Sequence, residues 1–209
     1  MSNIVIFDFD GVLFNTLKFK SKIAAVLERY DPRFTPALVE RRYAEMRTTK
    51  EPFSLITFLL LFLQPGQTED AYGELLGLVT ECLNQEAVNF LRKQKKENCF
   101  LVTNGDEEFQ NDKINAAGLR GFFNKVRIVP GSKKQPVEEI CATYPNEKVI
   151  FTDDKPEFFT DLDLKKYPNL VTVQYEGPAS VAELELASAS PLAQEMLRHG
   201  SKFAGKFLT

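Results

Sequence analysis

The stretch Ile4-Val-Ile-Phe-Asp8-Phe-Asp10-Gly-Val-Leu-Phe14 decides the fold. It begins as a short apolar run rich in Ile, Val and Phe, which is typical of a fully buried strand. Side chains two residues apart on an extended chain point the same way, so we expect Asp8 and Asp10 to leave the strand end on one side. Gly11 then allows a sharp turn.

The position of these two aspartates makes them candidate catalytic residues. Open α/β folds bind their ligands at the carboxyl edge of the parallel sheet. Two carboxylates at that edge can divide the work, one as nucleophile and one as general acid and base. The alternative is a strand that merely ends in turn-forming aspartates.

Composition limits the possible functions. The chain has 209 residues, 44% hydrophobic and 26% charged, which suits one globular core domain and a smaller second one. Its net charge of -3 argues against nucleic acid or an anionic membrane as partner. Three widely spaced cysteines match neither a metal site nor a disulfide framework, which favours a reducing compartment. The N-terminus carries no signal-peptide pattern, and we expect a cytoplasmic protein.

Helical and strand patterns divide the chain into two parts. Residues 15–95 carry only helical signals, including an apolar helix at 53–63 that Pro65-Gly66 closes. Strands are then predicted at 99–103, 126–129, 148–152 and 170–174, with helices at 106–117 and 136–143 between them. Strands separated by helices predict a parallel sheet.

The predicted fold is therefore α/β, a Rossmann-like parallel sheet of about five strands flanked by helices. An α-helical cap is inserted after the first strand. The predicted domains are a core of residues 1–14 and 96–209 and a cap of residues 15–95. The tail at 177–209 has apolar stripes at helical spacing, and packing on the core is favoured over a partner-binding role.

Polar residues follow three later strands. Thr103-Asn104-Gly105 precedes a helix N-terminus, which offers amide donors and a favourable dipole to an anion. Ser132-Lys133-Lys134 brings a cation that can neutralise a phosphate or a carboxylate. Asp153-Asp154 places like charges side by side, which favours a bound cation such as Mg²⁺. Singly these are an ordinary turn, a solvated lysine pair and a helix cap, but together they fit one task.

The order of these motifs resembles the haloacid dehalogenase (HAD) superfamily of phosphohydrolases, over nearly all of residues 3–175. Phe7-Asp-Phe-Asp-Gly-Val-Leu-Phe14 is its most specific part. Thr103-Asn-Gly-x3-Phe109-Gln110-x2-Lys113 is similar to the nucleotidase-like and phosphoglycolate phosphatase-like branch. The helical insertion resembles that branch's type 1 cap, which makes the chain a subfamily I member.

The resemblance implies a role for each matching residue. Asp8 would attack phosphorus, and Asp10 would protonate the leaving oxygen and then activate water. Thr103-Asn104-Gly105 would hold the phosphoryl oxygens, together with Lys133. Lys134 stands where the family has proline, so Lys133 and Lys134 both stay open as the motif lysine, with Lys133 preferred.

The resemblance also implies a magnesium site. Its ligands would be Asp8, the backbone carbonyl of Asp10, and the pair Asp153-Asp154. The family often has Gly-Asp where this chain has Asp153-Asp154. Asp154 fits the usual ligand best, and which of the two binds the metal directly is left open.

These roles predict a magnesium-dependent phosphatase that hydrolyses a small phosphorylated metabolite through a phosphoaspartate. Asp10 favours an oxygen leaving group over a halide, because an oxygen leaving group needs a proton. Two alternatives are a sugar-phosphate mutase and a catalytically silent phosphate-binding scaffold. Arg47, in the polar loop 47–52, is a candidate for binding an anionic substrate group, although a solvated connection is the simpler interpretation. We expect a monomer or homodimer.

Overall fold

A parallel sheet of five strands forms the centre of the molecule. The computed structural model describes residues 3–48 and 51–189, and all structural statements below refer to these residues. The strand order is β3-β2-β1-β4-β5. The strands are β1 Ile4–Phe7, β2 Cys99–Asn104, β3 Lys125–Val129, β4 Val149–Asp153 and β5 Leu170–Gln174. The predicted α/β class, with a parallel sheet flanked by helices, is confirmed.

Strand β1 lies in the middle of the sheet. Val5 pairs with Cys99 of β2 on one side, and Ile4 pairs with Val149 of β4 on the other. Every residue of β1 and β4 is buried. The strand order reverses at β1, which creates a crevice at the carboxyl edge of the central strands.

Nine α-helices accompany the sheet in the described ranges. They are α1 Thr16–Tyr30, α2 Pro36–Arg47, α3 Leu55–Leu59, α4 Pro65–Gly77, α5 Gln85–Arg92, α6 Glu107–Ala116, α7 Lys134–Thr143, α8 Glu157–Thr160 and α9 Ser180–Ser188. Short 3-10 turns occupy Val79–Cys82, Lys96–Asn98 and Arg120–Phe122. No strand occurs among the described residues between β1 and β2.

The predicted apolar helix at 53–63 is shorter in the structure. Helix α3 covers only Leu55–Leu59, and Leu60 and Leu61 are exposed. Pro65 and Gly66 open α4 instead of closing the preceding helix. Proline is suited to the first helical position, because the N–H that it lacks would have no partner there.

The chain leaves the sheet and returns to it at one place. The backbone N–H of Asn15 donates to the carbonyl of Cys82 at 2.7 Å, and the backbone N–H of Asn84 donates to the carbonyl of Leu13 at 2.9 Å. Phe14 and Leu83 form an antiparallel bridge between these two bonds. Helices α1–α4, here called the cap helices, lie between the two crossings. Helix α5 follows the return and contacts α9.

The end of the described chain packs on the core. Helix α9 contacts β4 and β5 and buries Leu184 completely. The other predicted apolar stripes of the tail, after residue 189, lie outside the described residues. In the two described ranges, every helix is too short or too polar to cross a bilayer.

Candidate active site

A tight turn directly after β1 sets the directions of the first two aspartates. The amide of Asp8 donates to the carbonyl of Thr152 at 2.9 Å and extends the pairing with β4. The amides of Leu13 and Phe14 both donate back to the carbonyl of Phe9. The Phe9 ring is fully buried and stacks on that of Phe14, with centroids 5.3 Å apart. Asp8 and Asp10 both line the cavity in front of the sheet edge.

Glycine is required at position 11. Its φ is +85°, and a Cβ atom there would lie 2.3 Å from Cγ of Asp154. Any larger residue would displace the Asp154 carboxyl group. The turn after β1 and the end of β4 are thus fitted to each other through a residue without a side chain.

Lys133 joins two of the acidic residues. Its side chain is 1% exposed, and its Nζ lies 2.8 Å from Oδ1 of Asp8 and 2.5 Å from Oδ2 of Asp153. Burial by itself would lower the pKa of Lys133, but the two carboxylates outweigh it and raise that pKa. Lys134 points away from the cluster, with Nζ 2.5 Å from Oε1 of Glu138. The structure therefore places Lys133, and not Lys134, beside Asp8.

Three carboxyl groups form a candidate cation site. Oxygens of Asp8, Asp153 and Asp154 lie within 4.8 Å of one another. Burial, followed by the charge of Asp8, raises the pKa of Asp153 to about 7 and also raises that of Asp154. Lys133 is in direct contact with two of these three carboxyl groups, and Lys155 acts on Asp154 from a greater distance, so the carboxyl groups still outnumber the lysines. A hard divalent cation fits such an all-oxygen set.

The two adjacent aspartates are not equivalent. Oδ2 of Asp153 accepts from Lys133, and its Oδ1 accepts from the Lys155 amide at 3.0 Å. Oδ1 of Asp154 is buried and has no hydrogen-bond partner among the described residues. Asp154 therefore offers the free oxygen, while Asp153 is held by the protein. The side chain of Asp10 is not part of this cluster.

Residues at the end of β2 border the site and hold the neighbouring loop in place. Thr103 is fully buried, and its hydroxyl has no hydrogen-bond partner among the described residues. The Asn104 side-chain amide donates to the carbonyls of Val129 and Gly131, at 3.2 and 2.8 Å, and so ties down the loop that leads to Lys133. Asn104 and Gly105 line the cavity, and the fully buried Thr103 is not among its lining residues.

The carboxylate of Asp10 is bound by helix α6. Nζ of Lys113 lies 2.6 Å from its Oδ1 and 2.8 Å from its Oδ2. The amide nitrogen of Gln110 donates to Oδ2 at 2.6 Å. Burial would raise the pKa of Asp10, but the Lys113 charge and the hydrogen bonds from Lys113 and Gln110 lower it overall.

A cavity of about 690 Å³ lies between the sheet edge and the cap helices. The core wall includes Asp8, Asp10, Lys133 and Asp154, and the cap wall is aromatic and cationic, with Phe19, Lys20, Tyr43, Arg47 and Phe53. Nζ of Lys20 lies 3.9 Å from the centre of the Tyr43 ring. Arg47, predicted in a loop, is the last residue of α2; it is exposed and lines the cavity.

The family profile of haloacid dehalogenase-like hydrolases matches residues 3–157. The chain belongs to this family of hydrolases. A comparison of the chain with curated proteins found no match.

Several solved structures share its fold. One is a haloacid dehalogenase-like hydrolase from Burkholderia xenovorans LB400, 18% identical over 87% of this chain and 85% of that one, with a TM-score of 0.57. A Thermotoga maritima protein assigned as a beta-phosphoglucomutase is 20% identical over 90% and 92% of the chains, with a TM-score of 0.52. A protein of Haemophilus somnus 129pt, assigned as a phosphoglycolate phosphatase, is 17% identical over 83% and 84%, with a TM-score of 0.51. At these identities the likeness shows the fold alone.

The structure of this HAD-like hydrolase adds two residues to the predicted site. Gln110 and Lys113 were recognised only as part of a motif, with no role of their own. The available signal was a lysine four residues after Phe109, on the face of α6 that is buried. A buried lysine requires a partner, and Asp10 is the partner that the structure supplies.

Proposed function

We propose that this HAD-like hydrolase is a magnesium-dependent phosphatase that hydrolyses a small phosphomonoester through a phosphoaspartate. The observation that carries the proposal is that Asp8 and Asp10 line one cavity, with the Lys133 ammonium 2.8 Å from the Asp8 carboxylate. We assign Asp8 as the nucleophile and Asp10 as the proton donor.

In the first step a carboxylate oxygen of Asp8 attacks phosphorus, and the bond from phosphorus to the substrate oxygen breaks. Asp10 must carry a proton for this step, although Lys113 lowers its pKa, and it gives that proton to the oxygen, so the substrate leaves as a neutral alcohol. In the second step a water molecule attacks the phosphoaspartate, and Asp10 takes one of its protons. The acyl phosphate bond breaks, inorganic phosphate leaves, and Asp8 is restored.

Charge is the main obstacle to this reaction, because a phosphomonoester dianion repels a carboxylate. Lys133 offsets part of the charge of Asp8 and is held in place by Asp153. A divalent cation bound by Asp8 and Asp154, with the Asp10 carbonyl, would supply the remaining neutralisation. The excess of acidic groups and the free oxygen of Asp154 support this assignment.

Asp10 supports phosphoryl chemistry over dehalogenation. A halide leaves without a proton, whereas an alkoxide leaving group requires one. Tyr43, Phe53 and Arg47 also line the cavity, and the leaving group would lie against them. Arg47 is the candidate contact for an anionic group of that leaving group.

The test is hydrolysis of p-nitrophenyl phosphate with and without Mg²⁺. We expect turnover that a chelator abolishes and that Asp8→Asn reduces by at least about 10³-fold, because that change removes the nucleophile. Asp70→Asn, on the exposed face of α4, is the matched control and should keep full activity. Hydroxylamine should release phosphate from protein trapped during turnover. Robust activity in Asp8→Asn would contradict the assignment of the nucleophile.

A substrate panel then separates the related activities. Nucleotides, sugar phosphates and phosphoglycolate are offered, and both inorganic phosphate and isomeric sugar phosphates are measured. Release of inorganic phosphate supports a phosphatase, and isomerisation without release supports a mutase. Halide release from a 2-haloacid, with no phosphate release from any ester, would contradict the proposal.

A further inference from the structure

The two oxygens of Asp10 are bound unequally. Oδ2 accepts from Gln110 at 2.6 Å and from Lys113 at 2.8 Å, while Oδ1 accepts from Lys113 at 2.6 Å. A carboxylate oxygen has about two lone-pair positions, so Oδ2 is fully used and Oδ1 keeps one. The Thr16 hydroxyl, 3.5 Å from Oδ1, is beyond the usual range for an O–H···O bond.

Lys113 has little freedom to move. Its side chain is 4% exposed, and its Nζ lies 4.6 to 5.4 Å from the ring centres of Phe109, Phe14 and Phe9. Aromatic faces attract an ammonium group at such distances. The lysine is therefore fixed in orientation by rings that belong to both α6 and the turn after β1.

Gln110 is fixed as well. Its amide nitrogen also donates to the backbone carbonyl of Asn104 at 3.1 Å, and the residue is 3% exposed. Gly105 makes room for it, since a Cβ at that position would lie 2.6 Å from Nε2 of Gln110. Both donors to Asp10 thus belong to helix α6, and their side-chain positions are fixed before any substrate binds.

We propose that Lys113 and Gln110 are positioning residues that hold Oδ2 of Asp10 and leave Oδ1 as the oxygen that exchanges the proton with the leaving group. This inference rests on the function proposed above. On this proposal, the rate of proton transfer to the leaving group depends on the orientation of the Asp10 carboxylate. A misplacement of about 1 Å in such a group can cost about 10²-fold in rate.

A purely structural role for the Lys113–Asp10 pair makes a different prediction. A structural ion pair affects the stability of the protein and affects all substrates alike. A positioning residue affects only the step in which Asp10 transfers a proton, and the loss grows with the basicity of the leaving group. The distinction is therefore measurable in substrates of similar shape.

The experiment compares kcat/KM of Lys113→Met for p-nitrophenyl phosphate, phenyl phosphate and a primary alkyl phosphate. kcat/KM includes only the steps up to departure of the leaving group, so the later role of Asp10 as base does not enter. We expect a loss of about 10²-fold for the alkyl ester and less than about 5-fold for p-nitrophenyl phosphate. Lys134→Met, a lysine directed away from the site, is the matched control.

A double-mutant cycle shows whether Lys113 acts through Asp10. In the Asp10→Asn background, Lys113→Met should cause no further loss for the alkyl ester. A further loss as large as in the wild-type background would overturn the proposal. An equal loss for all three leaving groups in Lys113→Met would overturn it too.

Two more measurements cover the case in which Lys113→Met does not fold. Gln110→Leu removes one neutral donor and should give about a 10-fold loss with the same dependence on the leaving group. A crystal structure of this variant should show the Asp10 carboxylate turned from its present orientation, and an unchanged orientation would overturn the proposal. If the wild-type protein hydrolyses no phosphomonoester, the proposed function fails, and the crystal structure still decides the positioning of Asp10.

Discussion

Lys133 is a single cation shared by two buried carboxylates. Its Nζ bonds Asp8 and Asp153, and all three side chains are at most 5% exposed. Replacing a buried ion pair as a whole can be nearly neutral, but removing one partner leaves an uncompensated charge. The lysine therefore contributes to stability as well as to the proposed chemistry.

We predict that Lys133→Met lowers the free energy of unfolding by about 3 kcal/mol when Mg²⁺ is chelated. Added Mg²⁺ should recover part of this loss, because a cation at the three aspartates neutralises the same charge. Denaturant unfolding with and without Mg²⁺ measures both effects. Lys134→Met is the matched control and should unfold at the wild-type denaturant concentration. Equal stability of the two variants would contradict a structural role for Lys133.

The candidate-site residues that directly follow strands were predicted from the sequence. The two on helix α6, Gln110 and Lys113, were given no role of their own. Asp8, Asn104 and Asp153 meet at one edge because parallel strands end together, whatever the details of packing. Lys113 is 103 residues from Asp10 in the chain. Their contact depends on how α6 is rotated on the sheet, and local spacing does not determine that rotation.

Helix α6 carries the two donors to Asp10, so its first turn is important to the site. Asp106 is its N-cap, and the carboxylate accepts from the amide of Phe109 at 2.9 Å. Glu107 and Glu108 in the first turn also complement the helix dipole. The helix predicted at 106–117 agrees with α6 to within one residue at each end.

We expect Asp106→Ala to lower the free energy of unfolding by about 1 kcal/mol, since the cap bond is lost and no other side chain replaces it. Chemical denaturation followed by circular dichroism measures the change. Asp70→Ala, an exposed aspartate within α4, removes the same group without removing a cap. Its unfolding midpoint should stay at the wild-type value, and an equal shift in both variants would contradict the capping role.

Cap helix boundaries were the least predictable elements. Pro65-Gly66 resembles a helix end but begins α4, where Gln64 and Gln67 satisfy the free amides of the first turn. Proline occurs both at the first position of a helix and shortly after the end of one, so Pro65 alone does not decide between a start and a stop. All five strands were predicted to within about one residue. In β1, β2 and β4, which are buried along nearly their whole length, the apolar run admits one interpretation.

At the scale of the whole molecule, the three cysteines report on the integrity of the core. Cys82, Cys99 and Cys141 are free thiols and at most 1% exposed. Burial raises the pKa of Cys99 to about 12 and that of Cys141 to about 11, and it also raises the pKa of Cys82. Near pH 8 all three cysteines are therefore almost entirely in the thiol form, and the thiolate is the reactive form.

We therefore predict that none of the three thiols reacts with a disulfide reagent in the native protein at pH 8. All three should react at once in denaturant, and the native reaction rate should follow the rate of unfolding. A spectrophotometric assay with an aromatic disulfide measures the number and rate. Rapid reaction of even one thiol under native conditions would contradict the burial of the core described here.

The adjacent crossings at Asn15 and Asn84 bear on how the segment between them can be replaced by protein engineering. The chain departs and returns across a single pair of bridged residues, Phe14 and Leu83, whose backbones lie about 5 Å apart. A two- or three-residue linker spans that gap. A replacement for the segment between the crossings can be joined at the same two residues, but it must also cover Phe109 of α6, which the rings of Phe19 and Tyr72 contact.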